Sequence, residues 1–175
     1  MKEKILVVVD MQNDFIDGSL GTKEAEEIVN NVKKEIEDVS YTKIYATEDT
    51  HYEDYLITRE GKYLPVEHCI KNTKGWQINT LVKEALEKRG ATYIEKNTFG
   101  SVDLMELIKN YDKEIESITL IGLCTDICVV SNALLIKAAL PETDVIVKAN
   151  CCAGVTPEKH EAALETMRSC QIDVI

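Results

Sequence analysis

The sequence predicts an α/β protein: a three-layer, doubly wound, mostly parallel sheet of five to six strands. Three observations carry this. Short apolar runs alternate with stretches of helical period along the chain. The first run, at residues 4–9, is apolar at every position from Ile5 onward, as a strand covered on both faces requires. Residues that start and stop helices stand where the alternation needs them. Such alternation demands right-handed crossovers, with helices on both sheet faces.

After the strand at 4–9, Thr22 caps a helix whose apolar positions Ala25, Ile28, Val29, Val32 and Ile36 recur at helical spacing. Residues 43–47 form the second strand. Residues 49–75 show little periodicity and form a long irregular loop, a length that in a small domain usually marks function or disorder. Ile78, Leu81, Val82, Ala85 and Leu86 make the next helical stripe, stopped by Gly90. The third strand is 92–95, and Ser101 caps a short helix at 102–109. The fourth strand, 117–122, runs into a helix at about 126–140 that Pro141 ends. Residues 144–149 are the fifth strand, Thr156 and Pro157 open a last helix, and 172–175 supply a sixth strand. No linker, repeat or low-complexity tract divides the chain, so residues 1–175 are expected to form one domain.

The 175 residues allow a substantial core, and 45% hydrophobic with 29% charged residues fits a globular chain rather than a disordered one. A net charge of −11 argues against nucleic acid, whose phosphates need a basic surface. No stretch reaches the roughly 18 apolar residues of a membrane span. The apolar run behind Lys2 and Lys4 is too short for a secretion signal and ends on Asp10. A soluble, unprocessed, cytoplasmic protein is expected. Six cysteines are too few for a disulfide scaffold at this length and suit reduced thiols.

In doubly wound sheets ligands bind beyond the carboxyl ends of the strands. Three strand ends carry chemistry: Asp10 in Asp10-Met11-Gln12-Asn13-Asp14-Phe15, Lys96 in Glu95-Lys96-Asn97-Thr98-Phe99, and Cys128 at the end of Gly122-Leu123-Cys124-Thr125-Asp126-Ile127-Cys128. Singly, each has a bland reading: the aspartate as a turn cap, the lysine as a solvated charge, the cysteine as core. Together they make an acyl-transfer set. The first turn of a helix and a nearby lysine favour the thiolate of Cys128. An aspartate in reach can take the thiol proton and pass it to a leaving amine. N–H groups at the helix start can hold an oxyanion.

These segments resemble the isochorismatase-like cysteine hydrolase superfamily, particularly its nicotinamidase branch, over nearly the whole chain. Asp10 to Phe15 is similar to the family's opening D-x-Q-x-D-F. Lys96 falls at its lysine, and Gly122 to Val129 resembles its nucleophile signature. The resemblance implies the isochorismatase-like hydrolase fold. It makes Asp10 the general base, Lys96 the group that orients and stabilises the charges, and Cys128 the residue that forms a thioester. It also implies a cis peptide at Leu123–Cys124, with the backbone N–H groups of Cys124 and Cys128 as the oxyanion hole.

The long loop holds His51 and His68, two of the three histidines, together with Asp49, Glu60 and Glu67. Alone, such a loop is more often surface decoration. The resemblance to nicotinamidases makes Asp49, His51 and His68 metal ligands, with Glu60 as an additional carboxylate seen in some members. Two imidazoles with carboxylates suit zinc, and also iron or manganese. The ion is expected to bind the ring nitrogen of an aromatic amide. Phe15 and Phe99 are candidates to line the substrate. Where relatives commonly place a tryptophan before the second histidine, this chain has Tyr63 and Leu64, and Leu64 is taken as a third lining residue.

Trp76 is expected to pack under the next helix, Cys151 and Cys152 in the interior, and His160 to lie exposed on the last helix. The leading expectation is hydrolysis of nicotinamide by a homo-oligomer, dimer or tetramer, with a small-molecule amide as partner and neither nucleic acid nor membrane. Hydrolysis of another small carboxamide or N-carbamoyl compound is the alternative, and a silent binding protein on the same fold is a third reading.

Overall fold

The protein is described here by a computed structural model covering residues 2–175. The chain order is β1 (Glu3–Val9), α1 (Asn13–Ile16), α2 (Lys23–Glu37), β2 (Lys43–Asp49), α3 (Arg59–Tyr63), α4 (Thr80–Lys88), β3 (Thr92–Lys96), α5 (Val102–Lys109), β4 (Ile115–Leu123), α6 (Val130–Ala139), β5 (Asp144–Ala153), α7 (Pro157–Ser169) and β6 (Asp173–Val174). The six strands form one parallel sheet in the order β3-β2-β1-β4-β5-β6. Among the described residues no helix is long and apolar enough to cross a membrane.

The two faces of the sheet can be read from β1. Leu6 and Val8 join the buried stripe of α2 and the inner side of α4, while Ile5, Val7 and Val9 pack with α5, α6 and α7. All five are buried, which is why the run shows no polar alternation. In α2 the β-branched residues Ile28, Val29, Val32 and Ile36 each lose about 0.5 kcal/mol of helix propensity. Burying each gains about 1.5–3 kcal/mol, so packing outweighs propensity. The Thr22 hydroxyl accepts the Ala25 N–H at 3.1 Å and fixes the helix start.

Most expected elements form, with differences at their ends. β2 and β3 extend to Asp49 and Lys96, and β5 runs four residues beyond the expected 149. The extension of β5 pairs Cys152 and Ala153 with Gly122 and Leu123 after a register shift, a gain only tertiary pairing reveals. Leu81 points outward and Ile78 precedes α4, so the helix is shorter than its apolar stripe. The expected helix at 126–140 instead begins with a π-helical turn, Thr125–Val129. The long loop contains a 3-10 turn, Tyr55–Ile57, and α3.

β1 and β4 are adjacent, with connections leaving in opposite directions, so the sheet's switch point lies between their carboxyl ends. Gly122 makes that closeness achievable. Its φ is +118°, and a Cβ there would sit 2.1 Å from the Val9 carbonyl oxygen.

Candidate active site

The chain leaves β1 sharply at Asp10, whose φ of +46° lies in a region aspartate tolerates better than most residues. Thr47 on the neighbouring β2 holds it there. Its hydroxyl donates to Asp10 Oδ1 at 2.6 Å, and its carbonyl and hydroxyl oxygens face the Asp10 N–H at 3.2 Å. Lys96, the last residue of β3, reaches over the end of β2. Its Nζ lies 2.6 Å from Asp10 Oδ2, 3.3 Å from Asp49 Oδ1 and 3.5 Å from Cys128 Sγ. The contact with Asp10 is an ion pair, and beyond it Oδ2 has no further polar partner. Cys128 stands in the π turn after β4, and the Leu123–Cys124 peptide before that turn is cis. One carboxylate, one ammonium and one sulfur thus share a buried pocket.

Burial governs the electrostatics. It raises the Asp10 carboxyl, and the Lys96 charge offsets only part of that. It would lower the lysine, but the Asp10 and Asp49 carboxylates outweigh it and hold the ammonium charged. Burial and the Asp10 charge push the Cys128 thiol well up. A helix start favours thiolate, but here desolvation beside a carboxylate dominates. The resting sulfur therefore carries its proton, and the Asp10 carboxylate, paired with Lys96, lies in the same pocket.

The long loop closes at its neck. The His51 N–H donates to Cys69, and the His51 carbonyl accepts from Lys71, both at 2.9 Å. The Asp14 carboxylate takes the Cys69 N–H at 2.8 Å. Asp49, His51, Glu60 and His68 are thereby gathered with their ligand atoms all within 4.8 Å of one another. His51 Nε2 lies 3.0 Å from Asp49 Oδ2 and 3.6 Å from Glu60 Oε1, and His68 Nε2 lies 3.6 and 3.5 Å from the same two carboxylates. A tetrahedral ion with bonds of 2.0–2.2 Å requires ligand spacings of about 3.3–3.6 Å; three of these four separations fall there and the His51–Asp49 one is shorter, so the cluster has the size of a zinc site. His68 Nδ1 lies 2.9 Å from the Val66 carbonyl, which fixes that nitrogen as the donor and turns the Nε2 lone pair inward. Burial alone would lower the His68 imidazole, yet the Asp49 and Glu60 carboxylates push it up to about 10. The pocket's field favours a cation.

The lining candidates separate. Phe15 is buried, its ring 5.5 Å from that of His68. Leu64 is 38% exposed and Phe99 47% exposed, so both stand at the surface rather than in the buried pocket. Tyr63 turns outward and stacks on Arg59. Trp76 packs against the α2–α4 core as expected, but its indole N–H also donates to Thr50 Oγ1 at 2.9 Å. A cavity of about 470 Å³ lined by Thr50, Tyr52, Lys96, Asn97, Thr98 and Ser101 opens beside the ends of β2 and β3.

Several supporting residues gave little signal in the sequence. Tyr55, fully buried, sets its ring edge-on to His51 at 4.8 Å and to His68 at 5.0 Å. An isolated tyrosine in an aperiodic loop does not announce this. Gln12 grips the Asp49 backbone twice, its Oε1 accepting the N–H and its Nε2 donating to the carbonyl. Asn132 donates to the carbonyls of Cys128 and Phe99 and accepts the Ser101 N–H. It thereby ties the nucleophile turn to the loop that follows Lys96. A buried asparagine in an apolar helix was the available clue.

The chain matches the isochorismatase domain family over residues 4–175. It is 26% identical to the nicotinamidase/pyrazinamidase of Mycobacterium tuberculosis, over 98% of each chain. The structure of a Pyrococcus horikoshii pyrazinamidase in complex with zinc aligns with a TM-score of 0.82 at 28% identity, covering 99% of this chain and 98% of that one. The nicotinamidase/pyrazinamidase of Bacillus subtilis aligns with a TM-score of 0.80 at 27% identity, covering 98% of each.

Proposed function

This chain belongs to the isochorismatase family, and we propose that it is a cysteine-dependent amidohydrolase converting nicotinamide to nicotinate and ammonia. The observation that carries the proposal is the placing of Lys96 Nζ, 2.6 Å from the Asp10 carboxylate and 3.5 Å from Cys128 Sγ, at the sheet's switch point. The nicotinamidase and pyrazinamidase relatives support the choice of amide.

In this mechanism Cys128 Sγ attacks the amide carbonyl while Asp10 Oδ2 takes the thiol proton. The N–H groups of Cys124 and Cys128 hold the oxyanion. Collapse breaks the C–N bond, Asp10 returns its proton to the departing nitrogen, and ammonia leaves. A water then attacks the thioester as Asp10 takes one of its protons; the C–S bond breaks, the sulfur recovers that proton, and the acid gives its remaining proton to solvent and departs as nicotinate. Lys96 stays charged throughout and steadies whichever neighbour is anionic.

Asp49, His51, His68 and Glu60 would hold a divalent ion, zinc on the donor set. When bound, that ion supplies a Lewis-acid position for the ring nitrogen of the substrate. Phe15, beside His68, would pack against that ring; Leu64 and Phe99 would border the entrance. The same reading makes the protein a cytoplasmic homo-oligomer, dimer or tetramer, serving NAD salvage.

The test is ammonia release from nicotinamide, pyrazinamide and other small amides by the wild type and by Cys128→Ala. The variant should lose turnover by at least about 10⁴-fold, the scale on which removing a nucleophile acts, while keeping its fold by circular dichroism. Retained turnover in Cys128→Ala would rule out the thioester route.

A further inference from the structure

We propose that His160 is a positioning residue for the nucleophile, acting through a hydrogen bond that anchors Thr125 at the head of the turn carrying Cys128. The proposal rests on the amidohydrolase reading above. His160 lies on α7, beyond β5, and is half-buried rather than exposed as the sequence suggests. Its Nδ1 stands 2.7 Å from Thr125 Oγ1. Thr125 is fully buried and opens the π turn three residues before Cys128.

The next residue is anchored from the same side. Asp126 Oδ1 accepts the Val155 N–H at 2.9 Å. Gly154 allows α7 and Asp126 to come this close, since a Cβ there would meet the His160 backbone nitrogen at 2.8 Å and Asp126 Oδ1 at 3.0 Å. Within the turn, the Cys124 carbonyl accepts the N–H groups of Ile127 and Val129 at 3.1 and 3.0 Å. The turn is therefore wrapped on itself and held from outside at two adjacent residues, both by the β5–α7 junction. Of these two holds, only the one at Thr125 joins side chain to side chain. It fixes where Cys128 Sγ stands relative to Asp10 and Lys96, and that geometry sets the chemical step. Burial lowers the His160 imidazole, so at neutral pH it is uncharged and adds no competing cation.

The experiment compares His160→Phe, His160→Asn, Thr125→Val and the double variant His160→Phe/Thr125→Val. It reads kcat and KM for nicotinamide, melting temperature, and alkylation of the Cys128 peptide by iodoacetamide. Losing one neutral hydrogen bond predicts about a tenfold fall in kcat for His160→Phe, with KM within about twofold. The alkylation rate should fall alongside. Asparagine places a polar atom near the lost Nδ1 and should recover most of the rate. The double variant should fall no further than the worse single one. Wild-type kcat in His160→Phe would overturn the proposal. So would equal losses in the Phe and Asn variants with multiplicative loss in the double variant. If the wild type leaves nicotinamide untouched, the functional reading fails, and the alkylation rates across the four variants still decide whether His160 positions the sulfur.

Discussion

At the tip of β3 one ammonium is enclosed with two carboxylates and a thiol, with almost no water to share the charge. Removing one partner of a buried pair costs about 3–5 kcal/mol, because the other charge is left uncompensated. The trio is therefore a folding constraint as well as a reagent. Its direction of titration has a kinetic consequence. Asp10 works as a base only when unprotonated, and burial raises its carboxyl above the ordinary value near 3.9. Activity should thus be lost as pH falls through that raised value, on an acid limb above the usual carboxylate range. The apparent constant belongs to the Asp10–Lys96–Cys128 group rather than to one residue. A pH–rate profile of kcat/KM checks this, and a flat profile down to pH 4 would contradict it. At this scale the sequence was most legible, because the residues proposed to do the chemistry stand at or just beyond strand ends. Thr47, Gln12 and Asn132 were less so, because a buried hydrogen bond leaves no periodic trace.

Strands and helices set the distances between those residues. The parallel register of β1 with β4 brings Val9 opposite Gly122, and the site opens just past that pair. Gly122→Ala should destabilise the protein by roughly 2–6 kcal/mol, combining 1–3 for the forced backbone conformation with 1–3 for the overlap on Val9. Urea unfolding measures it, and a loss below about 0.5 kcal/mol would show that the strands can part at little cost. The capped helices and the apolar strand β1 were readable because local pattern and tertiary burial agree there. The end of β5 was not, since Asn150 breaks the apolar run just past residue 149 and only pairing with β4 continues the strand. The π turn was hidden for a similar reason. Its residues suit an ordinary helix, and the contacts that wind it differently come from α7 and from Asn132.

Across the whole molecule, the six-stranded sheet supplies a rigid floor, and the end of β2 with the loop after it supplies the four proposed metal ligands. An ion bound to the folded state stabilises it by about 2.7 kcal/mol at a hundredfold excess over Kd. For a chain of this size that corresponds to about 5–10 °C in melting temperature. Stripping a zinc-loaded preparation with chelator should lower the melting point by that amount, zinc should restore it, and His51→Ala should show neither change. An unchanged melting point in the wild type would reject the four-residue centre. The neck that pairs His51 with Ile70 carries a further consequence. The neck fixes His51 and the stretch just after His68, while Glu60 rides on the arm between them, and doubling a loop's length costs only about 0.6 kcal/mol. Inserting residues at its outer bend, near exposed Ile57 and Tyr63, would reshape the doorway above the pocket while the hinge beneath it stayed shut.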